Sequence, residues 1–351
     1  MSTEAPPAPS APAFVTLHAN AQAQVRPHAR SGFLREGNPR PVLNAALRLA
    51  RARRGTLALV LEAEGPTYAA PGAMAAFDGL QGPVAGWLTG GSMEAELARR
   101  AAEADASGHL EWLQFDGQGG GRAGAGEGWT GQLRIALLPL RSLPGVEEPL
   151  AAWLEGGVSL RRSLSRDGRV RIEADGRPLP AWHVPAATPA WRDAASAWSL
   201  SLLRQPQVLL LGAGPETPPL LRLLRDLGWR SRAGEHRPEW MPACAAADSR
   251  GFDPSGCDAA LVMHHAFEAD RLALQRLAAS DVPFIGLLGP AARRDGLLGQ
   301  LSAGERGALE GRLHAPVGLD LGGRGPEAIA LGIAAQLQAW RSGREASAPD
   351  A

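Results

Sequence analysis

The sequence predicts an α/β protein in two parts: a C-terminal parallel sheet with helices on its faces, and a separate N-terminal α+β (layered α/β) domain. Three observations lead there. The 351 residues exceed one ordinary domain and suit two, each able to bury its own core. Beyond residue 200, short apolar runs of strand length alternate with stretches of helical period, the pattern of parallel strands joined by helical crossovers. One of those runs leads straight into a glycine corner, Gly212-Ala213-Gly214.

In chain order, residues 1–30 form a tail expected to be disordered. Its start, Met1–Phe14, has neither a basic opening nor a continuous apolar stretch and so does not read as a secretion signal. Residues 31–190 make the N-terminal domain. Pro41–Arg54 spaces Val42, Leu43, Ala46, Leu47 and Leu49 along one helical face, with arginines at the end that the helix dipole favours. Thr56–Glu62 is a strand closed by a Gly65-Pro66 turn, and further strands are expected at Ala73–Phe77, Val84–Leu88, Leu110–Phe115 and Leu133–Leu138, with a helix over Ser92–Ala106. Gly117–Gly131 is too rich in glycine to pack and reads as a mobile or ligand-facing loop. Ser159–Leu164 and Val170–Ala174 flank Asp167-Gly168 as a hairpin. Prolines 178, 180, 185 and 189 then mark the domain boundary.

Residues 200–342 carry the C-terminal domain, before a short disordered tail at 343–351. The strands expected are Val208–Leu211, Ala259–Met263 and Phe284–Leu287; the helices are Pro218–Leu227, Leu272–Ala279, Gly296–Leu301 and Pro326–Trp340.

Composition excludes several classes. Hydrophobic residues make up 45% and charged residues 21%, and no apolar run approaches the ~20 residues needed to cross a bilayer, so a cytoplasmic protein without a membrane partner is expected. The 36 basic residues, all arginine, balance 36 acidic ones, which argues against a general nucleic-acid binder. Cys244 and Cys257 are too few for a disulfide framework and match no zinc spacing.

The glycine corner is the strongest chemical signal. Gly212 and Gly214 would let the backbone approach a pyrophosphate at a helix N-terminus, as in Rossmann-like domains, although Thr217 stands where the fingerprint has its third glycine. Glu235, 23 positions beyond Gly212, would accept ribose hydroxyls. The alternative is a fold of this kind that has lost its ligand. Gly90-Gly91-Ser92 precedes a helix, as an anion site or simply an N-cap, and Glu94 in the first turn either orients a ligand or complements the dipole. His264 and His265 end a buried strand and point to opposite faces, so they are not expected to share a metal. Arg293 and Arg294 would grip phosphate or lie solvated at the surface. Glu327 favours the dipole of the last helix.

Several blocks resemble the XdhC/CoxI family of xanthine dehydrogenase accessory proteins: Leu211–Pro215, Glu235–Pro238, Ala260–His265, Phe284–Pro290, Leu313–Asp320 and Pro326–Leu331, in family order. Pro71-Gly72-Ala73-Met74 and Leu88–Glu94 are similar to two N-terminal signatures. The family's cysteine positions read Ser92 and, in Gly128–Gly131, Trp129. The resemblance implies a Rossmann C-terminal domain and a non-enzymatic chaperone that binds molybdenum cofactor (molybdopterin). Such a chaperone protects the cofactor while a cysteine desulfurase supplies sulfur, and delivers it to a xanthine dehydrogenase-type molybdenum hydroxylase. With these readings, cofactor contacts are expected at Gly72, Gly90, Gly91, Ser92, Glu94, Gly212, Gly214, Glu235, His265 (the one that matches a family position) and Arg293, with the first-domain loops closing over the sheet. The alternatives are an NAD(P)-dependent oxidoreductase, though a single tyrosine, Tyr68, and no lysine disfavour a short-chain dehydrogenase, and a scaffold that has lost its ligand. Whether the chain forms a homodimer stays open.

Overall fold

The computed structural model describes residues 30–31, 37–79, 83–89, 93–116, 131–187, 189, 191, 195–234 and 252–347. In the N-terminal half, helix α1 (Arg40–Arg51) buries Val42, Leu43, Ala46 and Leu49, the face its spacing predicts. An antiparallel sheet follows, built from β2 (Thr56–Glu64), β3 (Met74–Phe77), β4 (Pro83–Ala85), β5 (Glu111–Asp116) and β6 (Gln132–Pro139) in the order β4-β3-β2-β6-β5.

Alternation along β2 sets its two faces. Ala58 and Val60 pack with Leu97, Ala98, Ala101 and Ala104 of helix α2 (Glu94–Ser107). Leu57, Leu59 and Leu61 turn instead toward α1, helix α3 (Glu147–Leu154) and a second sheet. That second sheet holds β1 (Arg30–Ser31), β7 (Leu160–Ser165), β8 (Arg169–Ala174), β9 (Arg177–His183) and β10 (Ala197–Leu202), in the order β1-β10-β7-β8-β9. Trp112 and Trp198 meet between the sheets with ring centroids 5.2 Å apart. Beside them the Glu62 carboxylate accepts hydrogen bonds from Trp198 Nε1 (2.6 Å) and from buried Arg134 (2.5 Å), satisfying a charge that the core would otherwise expel.

Two expectations change here. The proline cluster read as a boundary contains β9, tolerated because β9 is an edge strand, where a missing N–H breaks no ladder bond. Strand β10 straddles the expected boundary and pairs with β7, so the N-terminal half runs to Leu202. The expected Val84–Leu88 strand is shorter, as β4. The glycine-rich loop, apart from Gly131, lies outside the described residues.

The C-terminal half is a five-stranded parallel sheet of β11 (Gln207–Leu211), β12 (Arg230–Gly234), β13 (Ala259–Val262), β14 (Ile285–Leu287) and β15 (Leu313–His314), in the order β12-β11-β13-β14-β15. On one face Val208, Leu210 and Leu261 pack with helix α4 (Thr217–Asp226) and helix α8 (Pro326–Ser347). On the other, Leu209, Leu211, Ala260 and Val262 pack with helix α5 (Phe267–Ala278) and helix α6 (Ala291–Gly299). The short helix α7 (Ala303–Leu309) and β15 were not anticipated, and α8 continues into the stretch expected to be a disordered tail. No helix among the described residues is long and apolar enough to cross a membrane.

Among the described residues, the side-chain hydrogen bonds joining the two halves gather at the amino-terminal edge of the parallel sheet. Arg204 grips Asp258, just ahead of β13, with two bonds of 2.9 and 3.0 Å. Asn38 donates to the carbonyls of Arg225 and Asp226 at the end of α4. Arg230, opening β12, donates to the Glu155 carbonyl.

Candidate functional site

Open parallel sheets bind ligands at the carboxyl ends of the strands, where the strand order reverses. Here that point lies between β11 and β13, because the chain leaves β11 toward β12 on one side and continues from β13 toward β14 on the other. The residues there are Gly212–Thr217 after β11, and His264 and His265 after β13.

Gly212 has φ +85, and a Cβ at that position would come within 2.5 Å of the His264 backbone nitrogen. Its role is therefore to let the two strand ends close together. Gly214 serves differently: a Cβ there would lie 2.6 Å from both Glu216 Oε1 and His265 Nε2. Glu216 is buried, at the head of α4 where the dipole favours a carboxylate. Its Oε1 stands 3.3 Å from Nε2 of His265, whose side chain is 48% exposed. His265 also adopts φ +58, a conformation that costs a non-glycine residue energy and concentrates where ligands bind.

This geometry corrects the anion-pocket expectation. The Gly214 N–H donates to Thr217 Oγ1 at 3.0 Å and the Thr217 N–H returns to the Gly214 carbonyl at 3.0 Å, so Thr217 closes the corner on itself. The space a dinucleotide pyrophosphate would enter holds the Glu216 carboxylate, and like charges would meet there. What the corner offers is a buried hydrogen-bond acceptor beside a solvent-facing imidazole.

Behind it lies a brace. Asp270, fully buried on α5, accepts from the His264 backbone N–H and lies 3.1 Å from His264 Nδ1 through the same oxygen. Its other oxygen accepts from Arg293 at 3.1 and 2.5 Å. Burial pushes the Asp270 carboxyl up, but the bonds from His264 and Arg293 together outweigh it and hold the group below the usual carboxylate value. Arg293 is thus committed to Asp270 rather than aimed at a phosphate, a second correction. Arg294 donates to Asp295 and to the Ala315 carbonyl.

In the N-terminal half, Gly72 has φ +96 and its N–H donates to the Val60 carbonyl at 2.8 Å, so it shapes the β2–β3 connection. Glu94 is buried, and its Oε1 accepts from the Leu88 and Thr89 amides and from Thr89 Oγ1, at 3.0 to 3.1 Å. Its Oε2 has no partner among the described residues. Gly90, Gly91, Ser92 and Glu235 lie outside the described residues, as does Cys244. Cys257 is buried near Arg232, and burial pushes its thiol up, away from reactivity. Among the described residues no cluster of His, Cys, Asp or Glu could hold a metal ion.

The joints between the halves are at the opposite edge from Gly214 and His265, so the expectation that the Gly72–Glu94 loops close over this corner finds no hydrogen bond to support it among the described residues. Sequence reasoning missed Glu216 and Asp270. Glu216 had a signal, an acidic side chain inside a supposed phosphate corner; Asp270, in the first turn of a helix, reads as a dipole partner until the fold brings it under His264.

Fold and edge together define a two-part α/β protein whose C-terminal half is a Rossmann-type domain. The family model described as the XdhC Rossmann domain matches residues 208–337, and that of the XdhC and CoxI family matches 48–116. The chain belongs to the XdhC/CoxI family. A relative from Bacillus subtilis, named as a probable xanthine dehydrogenase subunit, is 30% identical over 145 residues, 38% of this chain and 42% of that protein, so the match spans under half of the relative. A crystal structure from Bacillus halodurans, of a protein named as a xanthine dehydrogenase, has the same fold with a TM-score of 0.71 at 24% identity, over 87% of this chain and 98% of that one.

Proposed function

We propose that this chain is an accessory protein of a xanthine dehydrogenase-type molybdenum hydroxylase in the cytoplasm, and that it binds the pterin of molybdenum cofactor at the Glu216–His265 corner. The observation that carries the reading is the pair of family matches, one on each half and in family order. The corner's chemistry fits one end of the cofactor. A pterin presents an amino group and a ring N–H side by side, which a buried carboxylate accepts as a pair, whereas the cofactor's phosphate would meet Glu216 as a like charge.

In this reading Glu216 receives the pterin edge, His265 offers a further hydrogen bond from the solvent side, and the Asp270–Arg293 brace holds the His264 backbone, and with it His265, in place. When bound, the cofactor supplies molybdenum and its sulfur ligands. The chain contributes no thiol at Ser92 or Trp129, and a serine or indole cannot carry sulfur as a thiolate does. Sulfur from a cysteine desulfurase would therefore not pass through those two positions.

The test is mass spectrometry of ligands retained by the native protein after incubation with cofactor-loaded lysate, with pterin fluorescence after oxidation as a second readout. Pterin and molybdenum should be retained by the natural sequence and fall at least about tenfold in Glu216→Ala, the loss expected for a charged acceptor. Absence of both from the natural sequence refutes the reading.

A further inference from the structure

A polar cleft of about 590 Å³ opens between the two halves, at the amino-terminal edge of the parallel sheet and therefore at the far end of the strands from Gly214. Arginines reach it from three elements: Arg40 from the start of α1, Arg225 from the last turn of α4, and Arg230 and Arg232 from β12, where residues two apart share a face. The carboxylates among its lining are Glu155 and Asp253, and Asp253 is committed to Arg232 at 2.5 Å.

On the cationic side, Arg40 and Arg225 are the less committed pair. Arg40 donates to neutral oxygens, the Leu154 carbonyl (3.2 Å) and Gln205 Oε1 (2.7 Å). Arg225 is exposed, and its guanidinium has no hydrogen-bond partner among the described residues. Trp229 also lines the cleft, is 4% exposed, and its buried Nε1 has no partner among the described residues. Ser231, Ser255 and Gln207 add polar groups.

A donor-rich space with excess positive charge selects an oxyanion, and guanidinium forks match the oxygens of a phosphate group. The volume falls in the range of small-molecule sites, about 300–1,000 Å³. We propose that this cleft binds a phosphate-bearing small molecule, bridged by Arg40 of the N-terminal half and by Arg225 and Trp229 of the C-terminal half. Because both halves supply contacts, the ligand stabilises their mutual placement. The site is separate from the pterin corner and does not depend on it.

The experiment is calorimetric titration of the full chain with sodium pyrophosphate, at ionic strength matched with chloride, alongside thermal unfolding. Saturable binding and a raised Tm are expected. Arg225→Ala should weaken Kd by at least about tenfold, while Arg222→Ala, an exposed arginine of the same helix outside the cleft, should leave it within about twofold. Both positions are exposed, so neither variant threatens the fold. No saturable binding, or equal weakening by the two variants, overturns the proposal.

Discussion

Replacing Asp270 with alanine should destabilise the protein by about 4 kcal/mol at neutral pH. The carboxylate makes four contacts: two from His264 at 3.1 Å and two from Arg293 at 3.1 and 2.5 Å. Its removal leaves the buried His264 amide without its acceptor, worth about 1–3 kcal/mol, and breaks an ion pair of a kind worth about 3–5 kcal/mol when fully buried. Arg293 is 23% exposed and recovers some hydration, which places the sum near the lower end. The acid limb gives a second reading. The folded carboxyl titrates below its ordinary value, so its stabilisation is complete above about pH 4 and is lost as pH falls through the lower folded value. Urea denaturation followed by circular dichroism, repeated from pH 7 to pH 2, should show the gap between natural sequence and variant narrowing below pH 4. A loss under about 1 kcal/mol at pH 7, or a gap that stays constant to pH 2, would refute the account of Asp270 as an ionised brace.

Four further substitutions test other parts of the structure. Gly214→Ala meets the movable ends of Glu216 and His265, so it should cost under about 1 kcal/mol of stability yet weaken pterin retention at least about tenfold; Gly212→Ala meets backbone at positive φ and should cost at least about 2 kcal/mol, both read by urea midpoints. Glu62→Ala removes the shared acceptor of Arg134 and Trp198 between the two N-terminal sheets and should destabilise by about 3 kcal/mol in the same assay. Ser302→Ala breaks the capping box that Ser302 forms with Glu305 and should cost about 1 kcal/mol, with α7 exchanging its amides faster.

The centre of the parallel sheet was legible because β11 and β13 are buried on both faces, and such strands read as unbroken apolar runs: Val208–Leu211 and Ala259–Val262 are apolar throughout. Helix α1 was legible from its period alone. The second N-terminal sheet was only half legible. Its hairpin announced itself through Asp167-Gly168, but β9 hides behind prolines that an edge strand accepts, and β10 finds its partner β7 more than thirty residues back, a pairing that local pattern cannot supply. The candidate site divides the same way. Gly212-Ala213-Gly214 was recognisable as a corner, but what fills it depends on where Glu216 and His265 arrive, 49 residues apart, and only the order of the strands decides that. Arg293 looked available in the sequence because its acidic partner lies 23 residues away on another helix.

The placement of the joints between the halves bears on how cargo would be passed on. Arg204, Asn38 and Arg230 fasten the molecule behind the sheet, leaving the rim that carries His265 outside their grip. On the proposed reading, a pterin seated on that rim would leave it without any of those fastenings being undone, so unloading and structural integrity would be mechanically independent.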